Sequence, residues 1–342
     1  MTPRSPAERP PWQSCNTLFG GLAFDAQNRN RDEVGEALAM IEIRKRDTGE
    51  VLRTVDAPSL SGVDFREDNV AGAELSGQDL SGALLQGADL KGADLSGADL
   101  RGAHLEFADL SGSNLEGADL RGAFLVGAHL EAANLRNADL YRAKLSDGSP
   151  GHGATMAHCS LQGARLSSCD MRRVNLYRAD LTDADLCRSD LTGACAPKAR
   201  FLKAHMGSIT LIDADLRAVD LSHAYLCNAR LNGAVLTGAR LDDASMGGEE
   251  CLPTVLNLAD LGGASLVGAR LNGSSIRGAN LRDADLTHAD LSEVMLEGTS
   301  LRHANVQGAN FTGVDLTEVT MTFANFSQAI NADIPPGKKN IR

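Results

Sequence analysis

The chain has 342 residues, a formal charge of −12, 35 glycines and only 4% aromatic residues. The negative charge opposes direct binding to nucleic acid or an anionic membrane and favours basic partners. No run of eighteen apolar residues exists, and no apolar stretch follows the arginines of the first segment, so neither a membrane span nor a signal peptide is expected.

Residues 1–30 are rich in proline, arginine and polar groups, and the sequence predicts a partly disordered segment. Residues 31–40 fit a short helix. Ile41-Glu42-Ile43 then alternates like a strand, Asp47-Thr48-Gly49-Glu50 supplies turn chemistry, and Val51 to Val55 returns as a second strand. Residues 31–60 are therefore read as an N-terminal cap of short helix and hairpin. The end of a coil otherwise exposes unpaired backbone and an apolar mouth.

From Leu75 through Leu145 a leucine recurs at every fifth position, usually with a small residue two positions before it. In an α-helix such a step advances about 140° and spreads the leucines around the axis; in a flat strand an odd step sends them to both faces. A chain that bends after every five residues, four sides to a coil, points them all at one axis. Residues twenty apart then stack at roughly 4.8 Å, and about thirteen coils would span roughly 65 Å.

The quintets, such as Gly97-Ala98-Asp99-Leu100-Arg101 and Gly278-Ala279-Asn280-Leu281-Arg282, resemble those of the pentapeptide repeat family. The resemblance runs from about Ser61 to Ala329. It implies an all-β solenoid, a right-handed quadrilateral β-helix of pentapeptide repeats with an N-terminal β-hairpin cap. Members include proteins that bind DNA gyrase and topoisomerase IV by imitating duplex DNA, which protects the enzyme from an inhibitor. A fold supports such a function only weakly.

The repeat region, 61–330, is interrupted twice. After Leu145 the phase slips by one residue, so part of 146–155, with Gly148, Pro150 and His152, must bulge outward. The second interruption, 247–255, keeps the phase and leaves open whether it loops out or forms two poor quintets. An inward Glu249 favours the loop, since an unpaired buried carboxylate is costly. Residues 331–342 form a C-terminal tail too short and proline-broken for a long capping helix.

Within a quintet the small residue and the central leucine are expected to face inward, and the narrow interior is expected to exclude large rings. Glycine commonly begins the quintet because the corner needs a permissive backbone. The outward Asp or Asn hydrogen-bonds nearby backbone at the corner, so an outward aspartate needs no ligand to explain it. Cys159 and Cys169 take the small inward position. Cys187 and Cys227 share a column but stand two coils apart, roughly 9.6 Å, too far to join. All seven cysteines are expected to be reduced, in a cytoplasmic protein.

Asp79, Asp99, Asp119 and Asp139 fall in one outward column, a line of charge able to imitate a phosphate backbone. Arg165, Arg200, Arg230 and Arg240 replace the outward acid in the middle run, so the chain is not a continuous acidic rod. A neighbouring column carries Leu84, His104, Phe124 and Lys144, a candidate partner patch. With Gly148, Pro150 and His152 of the first interruption, these form the candidate partner-binding set. Met321, Phe323, Phe326 and Ile330 near the far end suggest a homodimer through that end.

No phosphate-binding loop, paired CxxC, HExxH or nucleophile-elbow serine occurs, and no enzyme activity, cofactor or metal is assigned. His152, His158 and Cys159 lie close in sequence, but an inward Cys159 and the spacing fit no common zinc pattern. The reading is a non-catalytic macromolecule-binding protein. Either it is a DNA mimic that binds a type II topoisomerase, gyrase or topoisomerase IV, or it is a structural scaffold or adaptor presenting a β-helix surface to another protein.

Overall fold

The computed structural model describes residues 40–248 and 251–338. The expected disordered segment and short helix, the inward Glu249 and the last four residues lie outside the described residues. Among the described residues no helix is present, and none therefore is long and apolar enough to cross a membrane.

Strands β1 (Met40–Arg44) and β2 (Val51–Asp56) pair antiparallel, with an irregularity between Ile43 and Arg44. The hairpin buries Ile43 and Val55 against the repeat interior. Its end joins the first coil: the N–H of Arg46 donates to Gly72 O at 2.9 Å, and the N–H of Glu74 to Arg44 O at 2.8 Å. Backbone that would be orphaned at the coil's end is thus paired.

From residue 64 onward the chain is a β-helix in which each outward residue bridges, in parallel, to the residue twenty positions later. Four backbone hydrogen bonds repeat from quintet to quintet, one of them from the corner N–H, as Gly97 to Glu116 O of the next coil at 2.9 Å. The N–H of Leu100 donates to Asp119 O of the next coil at 2.7 Å, that of Asp99 to Gln78 O of the previous coil at 2.9 Å, and that of Ala98 closes a turn on Leu95 O at 3.1 Å. Four columns of bridges result, named here for Asp99, Phe124, Asp109 and Asp94. Alanine and leucine fill the interior with essentially no solvent exposure.

The corner residue two positions after each central leucine adopts φ near +60°, as at Gly97 and Gly102. Glycine is favoured there because it lacks the Cβ that crowds the left-handed conformation. Larger residues also hold it, including Phe107 at φ 59° and Leu258 at φ 60°. Their side chains lie across the glycine of the following coil. A Cβ on Gly127 would meet the Phe107 ring at 2.4 Å, and one on Gly278 would meet Leu258 Cδ2 at 2.8 Å.

Large rings do enter the interior, contrary to expectation: Phe65, Phe201 and Phe311 are fully buried at central positions. Each has a reduced neighbour at an adjacent central position, Val70, Ala196 and Val306 respectively, so summed volume is kept.

Both interruptions loop out. Thr155 bridges to His129 across twenty-six residues and Val255 to Arg230 across twenty-five, where the regular coil uses twenty. The loops close at their bases, Ala154 N–H to Leu145 O at 2.8 Å and Thr254 N–H to Met246 O at 3.0 Å.

At the far end Met321 and Phe326 face the interior, Phe326 against Phe311 at 5.4 Å, while Phe323 and Ile330 are exposed. The tail turns back over this end. Lys338 Nζ donates to the carbonyls of Leu316 (3.1 Å), Thr317 (2.6 Å) and Val319 (2.6 Å), and Ala332 and Ile334 pack on the core. Only two of the four residues expected at a dimer face are therefore available on the surface, and an ammonium already satisfies carbonyls at the edge.

The register predicts that Leu110→Ala costs about 2–5 kcal/mol in chemical denaturation, by deleting buried methyl groups from a packed interior. Asp109→Ala, on the outward position, is expected to cost under about 1 kcal/mol. Equal losses at the two positions would refute the assignment of inward and outward faces.

Candidate functional site

Outward aspartates first serve their own corners. Asp79 Oδ1 accepts the N–H of Ser81 at 3.0 Å, and Asp99 Oδ1 that of Arg101 at 3.1 Å. Three arginines then interleave with the Asp99 column. Arg101 Nε donates to Asp99 at 2.8 Å, Arg121 Nε to Asp119 at 2.7 Å, and Arg165 Nη1 to Asp139 at 2.8 Å. Arg101 also lies 3.8 Å from Asp119, and Arg121 lies 4.0 Å from Asp139, one coil on. This stretch is a ladder of alternating charge, and of Asp79, Asp99, Asp119 and Asp139 only Asp79 has no arginine within ion-pair distance among the described residues.

Titration follows the same contacts. The Arg101 hydrogen bond, against partial burial, holds Asp99 below the usual carboxylate value. For Asp119 burial acts to raise the value, but hydrogen bonds from the Arg121 side chain and backbone outweigh it and the net shift is downward.

The Phe124 column differs in kind. His104 stacks on Phe124 with ring centroids 4.6 Å apart and planes 8° from parallel, and Lys144 Nζ stands 5.1 Å above the other side of the ring sequence. Leu84, His104 and Phe124 are half-buried by this stacking, while Lys144 is exposed. Beside them Phe107 remains 55% exposed at its left-handed corner. The first loop meets it there: His152 packs edge-on to Phe107 at 5.9 Å and its Nδ1 lies 3.0 Å from Asp147 Oδ2. That contact, with the Ser149 N–H at 2.7 Å, lowers Asp147 to about 2. Gly148 sits against the Arg172 guanidinium, and Pro150 projects to solvent.

The structure thus stacks Leu84, His104 and Phe124 in one column and brings His152 against Phe107 at its flanking corner, while the Asp79 to Asp139 column occupies the adjacent side. His158 and Cys159 do not form a cluster with His152. Cys159 is buried and its Sγ lies 2.7 Å from Leu130 O; burial pushes this thiol, and that of Cys169, up to about 12. Among the described residues no group of three or more His, Cys, Asp or Glu side chains is placed to hold a metal ion.

The second loop corrects the cysteine reading. Cys227 and Cys251 form a disulfide with Cα atoms 5.3 Å apart. Sequence spacing compared Cys227 with Cys187 along a regular column, whereas the loop folds Cys251 back onto the corner of Cys227. There the N–H of Asn228 donates to Leu252 O at 2.7 Å. A bridged pair removes the uniform reduced state from which a cytoplasmic location was argued. The sequence also gave no sign that Leu252 and Leu258 would project, at 67% and 73% exposure, on either side of Val255.

Family comparison agrees with the geometry. The model for pentapeptide repeats matches residues 59–97, 79–117, 113–147, 152–193, 211–248, 255–292 and 296–330. The chain belongs to the pentapeptide repeat family. Among solved structures it is similar to HetL, a pentapeptide repeat protein involved in heterocyst differentiation regulation from the cyanobacterium Nostoc sp. strain PCC 7120. That match has 31% identity over 73% of this chain and 89% of HetL, with a TM-score of 0.28. A pentapeptide repeat protein from the Arabidopsis thaliana thylakoid lumen matches at 28% identity over 30% of this chain and 68% of its own, with a TM-score of 0.28. QnrB1, a plasmid-mediated fluoroquinolone resistance protein, matches at 14% identity over 54% of this chain and 90% of its own, with a TM-score of 0.36. No curated protein matches the sequence.

Two measurements follow from these contacts. Peptide mapping without reduction is expected to yield a Cys227–Cys251 linked peptide, and Cys227→Ser to lower stability by up to about 3 kcal/mol, the chain-entropy value for a loop of this size. A fully alkylated chain would refute the bridge. Second, Asp99 and Asp119 have folded values below their unfolded ones, so their stabilisation is complete above about pH 4 and is lost as pH falls through the lowered values. The urea midpoint should therefore fall less between pH 5 and pH 2 in an Asp99→Asn, Asp119→Asn variant than in wild type; equal falls would contradict the assignment.

Proposed function

We propose that this pentapeptide repeat protein works without catalysis, as a right-handed four-sided coil that binds another protein through its side surface. The supporting observation is the Phe124 column. Aromatic, apolar and cationic groups are stacked outward there, and Phe107 is held exposed in a backbone conformation that a bulky side chain adopts at a cost. This favours a scaffold or adaptor.

The narrower reading, a DNA mimic that protects gyrase or topoisomerase IV, requires a line of uncompensated negative charge. Arg101, Arg121 and Arg165 divide that line into ion pairs, which lowers the field it projects.

Photo-crosslinking separates the possibilities. A benzoylphenylalanine is placed in turn at Lys144, His205, Thr155 and Ser160, one on each side of the coil. The expected result is a protein adduct from Lys144, reduced in a Phe124→Ala background. Absence of an adduct from every side would overturn the binding reading. With purified gyrase, a supercoiling effect that fades with salt and is abolished by Asp79→Asn, Asp99→Asn, Asp119→Asn and Asp139→Asn together would establish the mimic in place of the adaptor.

A further inference from the structure

We infer that the Phe124 side binds an extended acidic peptide segment carrying bulky apolar residues about nine positions apart. The inference rests on the binding reading above and adds the side, the chemistry and the spacing.

Apolar groups occur on this side at two heights. At the lower, Phe124 lies on the column and the exposed Phe107 on its flanking corner, across Gly127. At the upper, Leu252 and Pro253 stand on one corner of a single turn, Val255 on its outward column and Leu258 on the other corner. Leu252 and Leu258 are two of the most exposed large hydrophobic residues among the described residues. The second loop supplies Leu252, and the disulfide fixes that loop to the corner.

Between the two apolar sites lie four exposed cations, Arg142, Lys144, Arg173 and Arg230, together with Asp190 and with Asp170, which is ion-paired to Arg172. No carboxylate of the described residues lies within 4.0 Å of any of the four cations. Arg142 and Lys144 instead stand over the rings of Tyr141 and Phe124. On the Asp99 side, by contrast, Arg101, Arg121 and Arg165 are each paired with aspartate. Although the chain's net charge is −12, the two aspartates of the column between the sites, Asp170 and Asp190, are outnumbered by these four cations. Their complement is an anionic ligand, and the apolar ends select a peptide over a nucleic acid, whose backbone offers nothing to fill them.

Spacing sets the length. The column runs Phe124, Lys144, Asp170, Asp190, Thr210, Arg230, Val255. At roughly 4.8 Å per coil the apolar sites are about 29 Å apart, which an extended chain rising roughly 3.3 Å per residue covers in about nine residues.

The corner anchors also provide clean variants. Glycine is the usual occupant of the positions of Phe107 and Leu258, so Phe107→Gly and Leu258→Gly remove the side chains without opposing the backbone. The probe is a fluorescein-labelled peptide with Phe and Leu nine positions apart and Asp and Glu between, read by anisotropy. A scrambled peptide with the two apolar residues adjacent, and a single-stranded oligonucleotide of equal charge, serve as comparisons.

The acidic peptide is expected to bind at least tenfold more tightly than either comparison. The Phe107→Gly, Leu258→Gly pair should weaken it at least tenfold with the thermal midpoint unchanged or raised, and Lys144→Ala with Arg173→Ala should do likewise. Arg178→Ala with Lys198→Ala, on another edge, should change it less than twofold. Binding no tighter than the scrambled peptide, tighter binding of the oligonucleotide, or equal loss in the Arg178 and Lys198 variant would each overturn the inference. The crosslinks from all four sides test the broader reading separately, so failure of the peptide leaves that reading to its own measurement.

Discussion

The bonds between successive coils are the constraint on which the rest depends. Every quintet uses its central N–H toward one neighbour and its outward N–H toward the other, while the small residue's N–H closes the turn between them. That economy is possible only if the corner residue turns left-handed and the residue beside the central leucine stays small. Serine, threonine and cysteine meet the second condition and add a donor: Thr254 Oγ1 reaches Leu226 O at 2.6 Å and Ser274 Oγ reaches Met246 O at 3.0 Å. Those two hydroxyls enter the core already partnered, whereas Ser113 Oγ at the same inward position has no partner among the described residues.

The same regularity makes the surface a set of columns in which like residues repeat at the coil spacing. Identical charges in such a column repel, and the chain answers with arginine two positions beyond the aspartate, within reach of its own acid and the next one up. Each exposed pair contributes little stability. Its larger effect is on recognition, because a compensated column projects little field. On the Phe124 side the same pairing recurs at Asp170 and Arg172, but Lys144 and Arg142 meet aromatic rings instead of carboxylates.

Because each coil contacts mainly its neighbours, irregularities are absorbed locally. Six-membered rings enter the interior where an adjacent central residue shrinks, and a bulky corner side chain is tolerated where the next corner is glycine. Extra residues leave the coil between one bridge and the next, as the paired loop bases show. Function has most freedom at these exceptions, since a loop or exposed corner residue changes the surface while the ladder beneath continues unchanged.

The five-residue recurrence by itself determined the β-helix, the inward leucines and the place of both interruptions, because a repeated pattern constrains every coil in the same way; the hairpin at the start was legible from the alternation and turn residues of 41–55. Twenty-residue stacking also placed His104, Phe124 and Lys144 in one column. Only the tertiary structure decided what the irregular residues do: that Cys251 reaches Cys227, that Lys338 covers the last carbonyls, and that Arg165 joins an aspartate ladder across a loop. It also decided that Phe107 and Leu258 project while Phe201 and Phe311 are buried. The physical reason is that period encodes which way a residue faces within a coil, whereas loop closure, side-chain reach and volume compensation depend on neighbours that the chain brings together only after many residues.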